Sequence, residues 1–423
     1  MAGILLKGNI LASILGLLVV SIITKNVSLD SYGIIVMVQA YIMFIDQLFN
    51  FQSWQGLIKY GSIALENNQK KDFKNYIQLS IVLDIFGSLM AFIFAFILFI
   101  PISIFFNLDQ LTLYMFYSVV LLFRIIGTPT ALLRLGEQYK YFNLQQLMNW
   151  GVKLVLIIIF SLLDMLNIYN ILIIFAFGEI ISSIYLISCG VKVLKKYNIL
   201  LKDIVLFTPH LSLSKKMKRF LSFSLKVNLN SAVLGSIRNL DELIVASLLG
   251  SASVAIFKIM KLVGSIFSKM LDPLYVVVYP EFSKLVAQNK INEIFHILKK
   301  ITIINFIISI LLVLSFYIFG SFIIESFFTK EYLVGLPMLK IYLIGIVISF
   351  TFFYLQPLML SLELEGTALI INSIASLIYI CLLYILLETY DLWAVVISFL
   401  VFSLLVVVPK IYILIKKKDE HVL

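Results

Sequence analysis

Long apolar segments, each close to the length that crosses a bilayer, recur along the whole chain. A spanning helix needs about 20 consecutive apolar residues. The chain is 61% hydrophobic and only 13% charged, so most of its outer surface must face lipid. Because the segments are continuous and do not alternate in polarity, they predict helices and not the strands of a membrane barrel. We expect an all-α integral membrane protein with about twelve spans.

The predicted spans fall into two sets of six. The first set covers residues 6–24, 32–50, 77–100, 111–133, 144–163 and 169–190. The second set covers residues 220–249, 252–278, 301–323, 339–361, 367–387 and 393–415. Amphipathic segments ending near residues 70 and 290 follow the second and eighth spans, which is a weak internal repeat. Transporters are often built from such repeats and bind substrate where the repeats meet. Pro129, Pro273 and Pro357 are the predicted helix kinks.

The longest polar stretch, residues 192–219, is rich in Lys and Arg and separates the two sets. We therefore expect an N-terminal six-helix lobe at 1–191, a basic cytoplasmic connector at 192–219, a C-terminal six-helix lobe at 220–415 and a basic cytoplasmic tail at 416–423. The connector serves for orientation and contact with anionic lipid.

Basic residues concentrate in alternate connections, and such residues accumulate on the cytoplasmic side of membranes. The pattern predicts that both termini are cytoplasmic. It also explains the net charge of +10 as a topology signal, so nucleic acid is not expected as a partner.

Several ionisable residues lie deep inside predicted spans, where charges usually face a cavity or a partner. At 1.5 Å per residue, the deepest come out about 13 to 15 Å from a helix end, and Asp84 about 10 Å. The cationic candidates for substrate binding are Lys258, Lys261, Arg238, Lys226, Arg124 and Lys153. The candidates for ion coupling or a changing charge pair are Asp241, Glu179, Asp84 and Asp46, with Asp241 favoured.

Structural roles compete with these assignments. Arg238 can pair with Asp241 or Glu242 on its own helix, and Lys258 can extend toward the interface. Taken together, the cations favour a partly cationic internal cavity. Guanidinium and ammonium groups bind phosphate oxygens through charge-assisted hydrogen bonds, so such a cavity favours an anionic substrate.

Intramembrane chemistry is not indicated. His210, His296 and His421 all lie in predicted cytoplasmic segments, so no His within a span can act as acid, base or metal ligand. Phosphate-cradling glycine motifs are missing as well. We expect no enzyme activity, no metal and no cofactor, with transport coupled to a gradient of H⁺ or Na⁺ if it is coupled at all.

Three stretches, together with the six-plus-six layout, resemble the polysaccharide transporter family of the multidrug/oligosaccharidyl-lipid/polysaccharide exporter superfamily. They are Leu29–Gly33, with its Leu…Tyr-Gly pattern, Leu240–Ser251, with an Asp followed by aliphatics and a Leu-Gly turn, and Tyr279–Ser283, with a Pro at the exit of span eight. The similarity covers nearly the whole chain and includes O-antigen flippases, which move lipid-linked oligosaccharides.

The resemblance implies a V-shaped pair of six-helix bundles that works by alternating access in the bacterial cytoplasmic (inner) membrane. It implies a flippase that moves an undecaprenyl-diphosphate-linked oligosaccharide repeat unit, of O-antigen in lipopolysaccharide or of a related surface polysaccharide, from the inner to the outer leaflet. The implied partners are this glycan lipid, membrane lipid, and the glycan polymerase and chain-length machinery.

Two alternatives remain. A cation-coupled multidrug exporter of the same superfamily shares the architecture, but it needs an acidic cavity for cationic drugs, which the charges oppose. A membrane glycan polymerase or acyltransferase would favour a large outer loop or an intramembrane His.

Overall fold

In the computed structural model, the structure describes residues 2–106, 110–197, 199, 215–269, 278, 281, 282, 284–286, 288, 290–362 and 364–419. Within these residues every regular element is helical, which confirms the predicted all-α fold. The helices before the connector are α1 (Ala2–Asn26), α2 (Leu29–Phe49), α3 (Ser53–Glu66), α4 (Lys70–Ile97), α5 (Phe99–Phe106), α6 (Leu111–Ser118), α7 (Gly127–Leu135), α8 (Tyr139–Leu162) and α9 (Ile168–Lys196). Those after it are α10 (Lys215–Lys269), α11 (Ile291–Phe327), α12 (Leu336–Thr351), α13 (Leu355–Ser361), α14 (Glu365–Tyr390) and α15 (Trp393–Asp419).

Eleven helical stretches among the described residues are long and apolar enough to cross a membrane. The protein is a multi-pass membrane protein. The seventh predicted span and residues 252–269 of the eighth lie in α10, which is interrupted at Gly250, where φ is 84° and ψ is 176°. A positive φ is readily adopted only by glycine, so Gly250 permits the kink between residues 215–249 and 251–269.

Two spans are interrupted close to the predicted proline kinks. The fourth changes from α6 to a 3₁₀ turn at Val119–Phe123 and resumes as α7. Pro129 is the third residue of α7, within the first turn, where proline costs no helical hydrogen bond. Pro357 has the same place in α13, after the break that follows α12. In both cases the chain bends just before the proline. Pro273 lies outside the described residues.

Large apolar side chains cover the surface of the helices. Ile104 is 75% exposed and Leu162 80% exposed, as lipid-facing residues are. The amphipathic α3 differs from the spans, because its buried residues, including Leu57 and Ala64, all lie on one face.

The chain divides into two compact units, which we describe separately. The first comprises mainly residues 37–243 together with 3–19, and the second mainly 244–423 together with 20–36. Whether the predicted lobe boundaries mark functional domains stays a prediction.

The core of the first unit is formed by α3, α4, α7 and α9 with the start of α10. Phe73, Tyr76 and Phe220 are buried there, and the rings of Tyr76 and Phe220 stack with centroids 5.5 Å apart. At its edge Lys216 Nζ donates to Asp72 at 2.6 Å. This hydrogen bond and the opposite charge favour the ammonium form and raise the pKa of Lys216.

In the second unit, the turn between α1 and α2 packs on the ends of other helices. Lys25 Nζ donates to the Ser326 carbonyl at 2.5 Å. Ser251, next to the break in α10, donates its hydroxyl to Asp30 at 2.6 Å. The approach at Gly33 is closer still: a Cβ on Gly33 would lie 1.9 Å from the Ser251 carbonyl oxygen. The Leu…Tyr-Gly pattern thus has a steric reason for its glycine.

Candidate functional site

Arg124 is the centre of a buried ion network in the first unit. It follows the 3₁₀ turn that interrupts span four, and this break directs its side chain into the helix bundle. Nη1 lies 2.6 Å from Asp46 Oδ2 and Nη2 lies 3.5 Å from Glu179 Oε2. The two carboxylates come from α2 and α9. One guanidinium therefore joins three separate spans.

Lys153, on α8, extends the network. Its side chain is 3% exposed, and Nζ lies 3.4 Å from Glu179 Oε1. The ammonium also lies 5.0 Å from the ring centre of Trp150 and 4.7 Å from that of Phe175, so it makes two cation–π contacts. Gly178 makes room for it, because a Cβ there would lie 2.7 Å from Lys153 Cγ.

Asp84, on α4, is held by hydrogen-bond donors, and no Lys or Arg of the described residues pairs with it. The Ser53 hydroxyl donates to Oδ1, and the Thr128 N–H donates to Oδ2 at 2.6 Å. The Thr128 hydroxyl lies 2.8 Å from the same oxygen. Because Thr128 is in the first turn of α7, its N–H has no acceptor within the helix. The carboxylate thus caps the half of span four that begins after the break.

Asp84 and the Arg124–Asp46 pair line the same small recess. Phe49, Asn50 and other side chains complete its wall. The recess is therefore a polar opening within the membrane-spanning part of the first unit, lined by both signs of charge.

The other predicted site residues all lie on α10. Lys226 is exposed on α10. Lys258 and Lys261 are half-buried in the second unit, with Lys261 Nζ 5.2 Å from the ring centre of Phe257. Asp241 is buried, at 5% exposure. The side chain of Arg238 lies outside what the structure describes.

Sequence reasoning missed two contributors. Tyr117 donates its hydroxyl to Glu179 Oε1 at 2.9 Å, but an isolated Tyr in an apolar span gives no signal. Lys410 is 3% exposed, and its Nζ donates to Gln356 Oε1 and to Asn372 Oδ1, both at 2.8 Å. Counting inward from the end of the last predicted span would have separated Lys410 from the basic tail, since it lies about 8 Å inside.

The sequence of this chain is similar to those of known proteins. A family model described as "Polysaccharide biosynthesis protein" matches residues 2–286. The chain belongs to this family. A curated member of the Escherichia coli (strain K12) proteome, "Inner membrane protein YghQ", is 30% identical over 142 residues. That match covers 33% of this chain and 40% of the length of YghQ.

Solved structures extend the likeness to the whole fold. An inward-facing multidrug resistance MATE family transporter of the MOP superfamily is similar with a TM-score of 0.79, at 15% identity, and the match covers 96% of both chains. A Pyrococcus furiosus MOP superfamily transporter, described as having a binding pocket of reversed polarity, has a TM-score of 0.65 at 12% identity. That match covers 99% of this chain and 96% of the other. The chain therefore shares the fold of these two transporters.

Proposed function

We propose that the protein is a flippase for a lipid-linked oligosaccharide. It moves an undecaprenyl-diphosphate-linked repeat unit from the inner to the outer leaflet of the bacterial cytoplasmic membrane by alternating access, with both chain termini in the cytoplasm. The observation that carries the proposal is the family match over residues 2–286 in a chain with a transporter fold. The buried charges in its spans supply groups that can bind a diphosphate.

In this proposal the cationic residues Arg124, Lys153, Lys226, Arg238, Lys258 and Lys261 neutralise the diphosphate and any acidic sugars. The polyprenyl tail stays in the lipid, because removing it from hydrocarbon would cost about 0.8 kcal/mol per CH₂ group. The glycan crosses in the hydrated interior.

The pairing of Arg124 suggests how binding and coupling are linked. Both terminal nitrogens of its guanidinium already contact carboxylates. Nη1 lies 2.6 Å from Asp46 and Nη2 lies 3.5 Å from Glu179. A phosphate oxygen that takes the place of Asp46 leaves that carboxylate without its cation. Because an unpaired buried carboxylate is costly, the exchange favours uptake of a proton or Na⁺. Asp241, Asp84 and Glu179 are the further candidates for such a step.

The test is complementation combined with a measurement of sidedness. We expect deletion of the gene to remove surface glycan and to trap complete undecaprenyl-diphosphate-linked repeat units on the cytoplasmic leaflet. Expression of the full chain should restore both.

Two other results would overturn the proposal. Single repeat units that reach the outer leaflet without lengthening would identify a polymerase step. Unchanged surface glycan together with increased drug sensitivity would identify an exporter of cationic compounds.

A further inference from the structure

Lys410 is a buried cation in the second unit that the function proposed above does not use. It lies on α15, nine residues before Asp419 and therefore about 13 Å from the end of the helix. Its side chain is buried, whereas Lys416 on the same helix is exposed. Instead its ammonium contacts α13 and α14.

The described contacts of Lys410 are all to neutral groups. Its partners are the amide oxygens of Gln356 and Asn372, each 2.8 Å from Nζ. Among the described residues no carboxylate lies within 4.0 Å of this ammonium. The network around Arg124 in the first unit is different, because each of its cations contacts a carboxylate.

The hydrogen-bond chemistry of these three side chains sets what they present to a ligand. An ammonium has three N–H donors and no acceptor, so both amides must turn their oxygens toward Lys410. Their NH₂ groups then point away from it. One N–H of Asn372 lies toward Gln356 Oε1, with a donor–acceptor distance of 3.4 Å. Within the described part of the chain, the Gln356 NH₂ group and the third ammonium N–H have no acceptor, and Gln356 is half-buried and not sealed in the core.

We propose that Lys410, Gln356 and Asn372 form an anion-binding site that receives a phosphate group. A buried ammonium with one N–H left over, next to an amide NH₂ group that has no acceptor among the described residues, matches the oxygens of a phosphate. Two sources carry this chemistry: the diphosphate of the transported lipid, an assignment that rests on the proposed function, and the headgroup of an anionic phospholipid.

The test is equilibrium binding to the full chain in nanodiscs of phosphatidylcholine, with radiolabelled undecaprenyl diphosphate as the probe. We expect Lys410→Met to weaken binding about tenfold or more, since a charge-assisted hydrogen bond is lost. Lys410→Arg keeps the charge and should retain binding within a few-fold. The matched control is Lys416→Met, which removes an exposed charge from the same helix and should leave binding unchanged.

A second variant separates a binding role from a structural one. Gln356→Glu places a carboxylate beside Lys410 and supplies the missing counter-charge. If Lys410 only holds helices together, this variant should be at least as stable as the wild type and bind the probe normally. The anion site requires instead that stability is kept and binding is lost.

The remaining arms assign the source. Phosphatidylglycerol added to the discs should compete through Lys410 if the site takes phospholipid headgroups, and should not compete if it takes the transported diphosphate.

Equal binding by the wild type, Lys410→Met and Gln356→Glu would overturn the site while leaving the flippase proposal in place. Failure of the wild type to bind the lipid at all would count against the flippase proposal. In that case the binding of inorganic diphosphate, measured in parallel, tests the anion site. Binding that depends on Lys410 supports the site, and the absence of such binding overturns it.

Discussion

Replacing Arg124 with Gln removes a cation that joins α2 and α9, and it tests whether the network holds the first unit together. Asp46 and Glu179 then lose a partner whose nitrogens lie 2.6 Å and 3.5 Å from their oxygens. Breaking a buried ion pair by removing one partner costs about 3–5 kcal/mol, because an uncompensated charge stays buried. For a unit of this size, each kcal/mol lowers the melting temperature by about 2–4 °C, so we expect a decrease of about 6–20 °C.

The assay is thermal unfolding of the purified full chain in one detergent, with all variants measured at the same heating rate. Asp46→Asn combined with Arg124→Gln should regain part of the loss, because the stranded carboxylate is then neutral. The coupling energy of this double-mutant cycle should be about 0.5–3 kcal/mol. Lys226→Gln, which alters an exposed cation of the same unit, should change stability by less than about 0.5 kcal/mol.

The reasoning is refuted if Arg124→Gln melts together with Lys226→Gln. Strict additivity of the two single changes at Arg124 and Asp46 would refute it as well, since the pair would then contribute nothing beyond its separate members.

Three further predictions use other parts of the structure. Gly33→Ala places a Cβ 1.9 Å from the Ser251 carbonyl oxygen, where ordinary contact needs about 3.4 Å, so we expect destabilisation by about 1–3 kcal/mol in thermal unfolding; an unchanged melting temperature would show that this approach is not rigid. Asp84→Asn replaces one carboxylate oxygen by an NH₂ group that faces the donors of Ser53 and Thr128. This change should lower the free energy of unfolding by about 1–3 kcal/mol, and full stability would argue against the capping role of this carboxylate. Lys258→Ala combined with Lys261→Ala should abolish glycan transport in the complementation assay while protein levels hold, and normal transport would remove these two residues from the proposed cationic site.

The segment lengths and the charge positions that located the buried network are local properties of the sequence. A run of about 20 apolar residues must form its backbone hydrogen bonds internally in lipid, so each predicted span had to be a helix. Counting residues from the span ends placed Arg124, Lys153 and Glu179 at depth, and the structure joins these three with Asp46 in one network. At the Leu-Gly pattern, the structure has a helix kink at Gly250.

Pairing could not be predicted in this way. Arg124 and Asp46 are 78 positions apart, and Lys410 is 38 positions from Asn372 and 54 from Gln356. Hydropathy is nearly equal on all faces of such helices, so it does not show which face meets lipid and which meets a neighbouring helix. Arg124, Lys153 and Lys261 were predicted at similar depths in their spans. In the structure Arg124 and Lys153 contact carboxylates, and Lys261 contacts the ring of Phe257.

The sequence by itself determined that this chain is a helical membrane protein with charges buried in its spans, because the absence of water in the bilayer leaves each apolar segment only one way to satisfy its backbone. Tertiary structure alone decided how those charges are balanced. In the first unit, packing brings Asp46 and Glu179 to Arg124, whereas in the second unit it gives Lys410 only amide oxygens among the described residues. The physical reason is that a charge in lipid is stabilised by whichever groups the neighbouring helices present, and that choice is made between helices far apart in sequence.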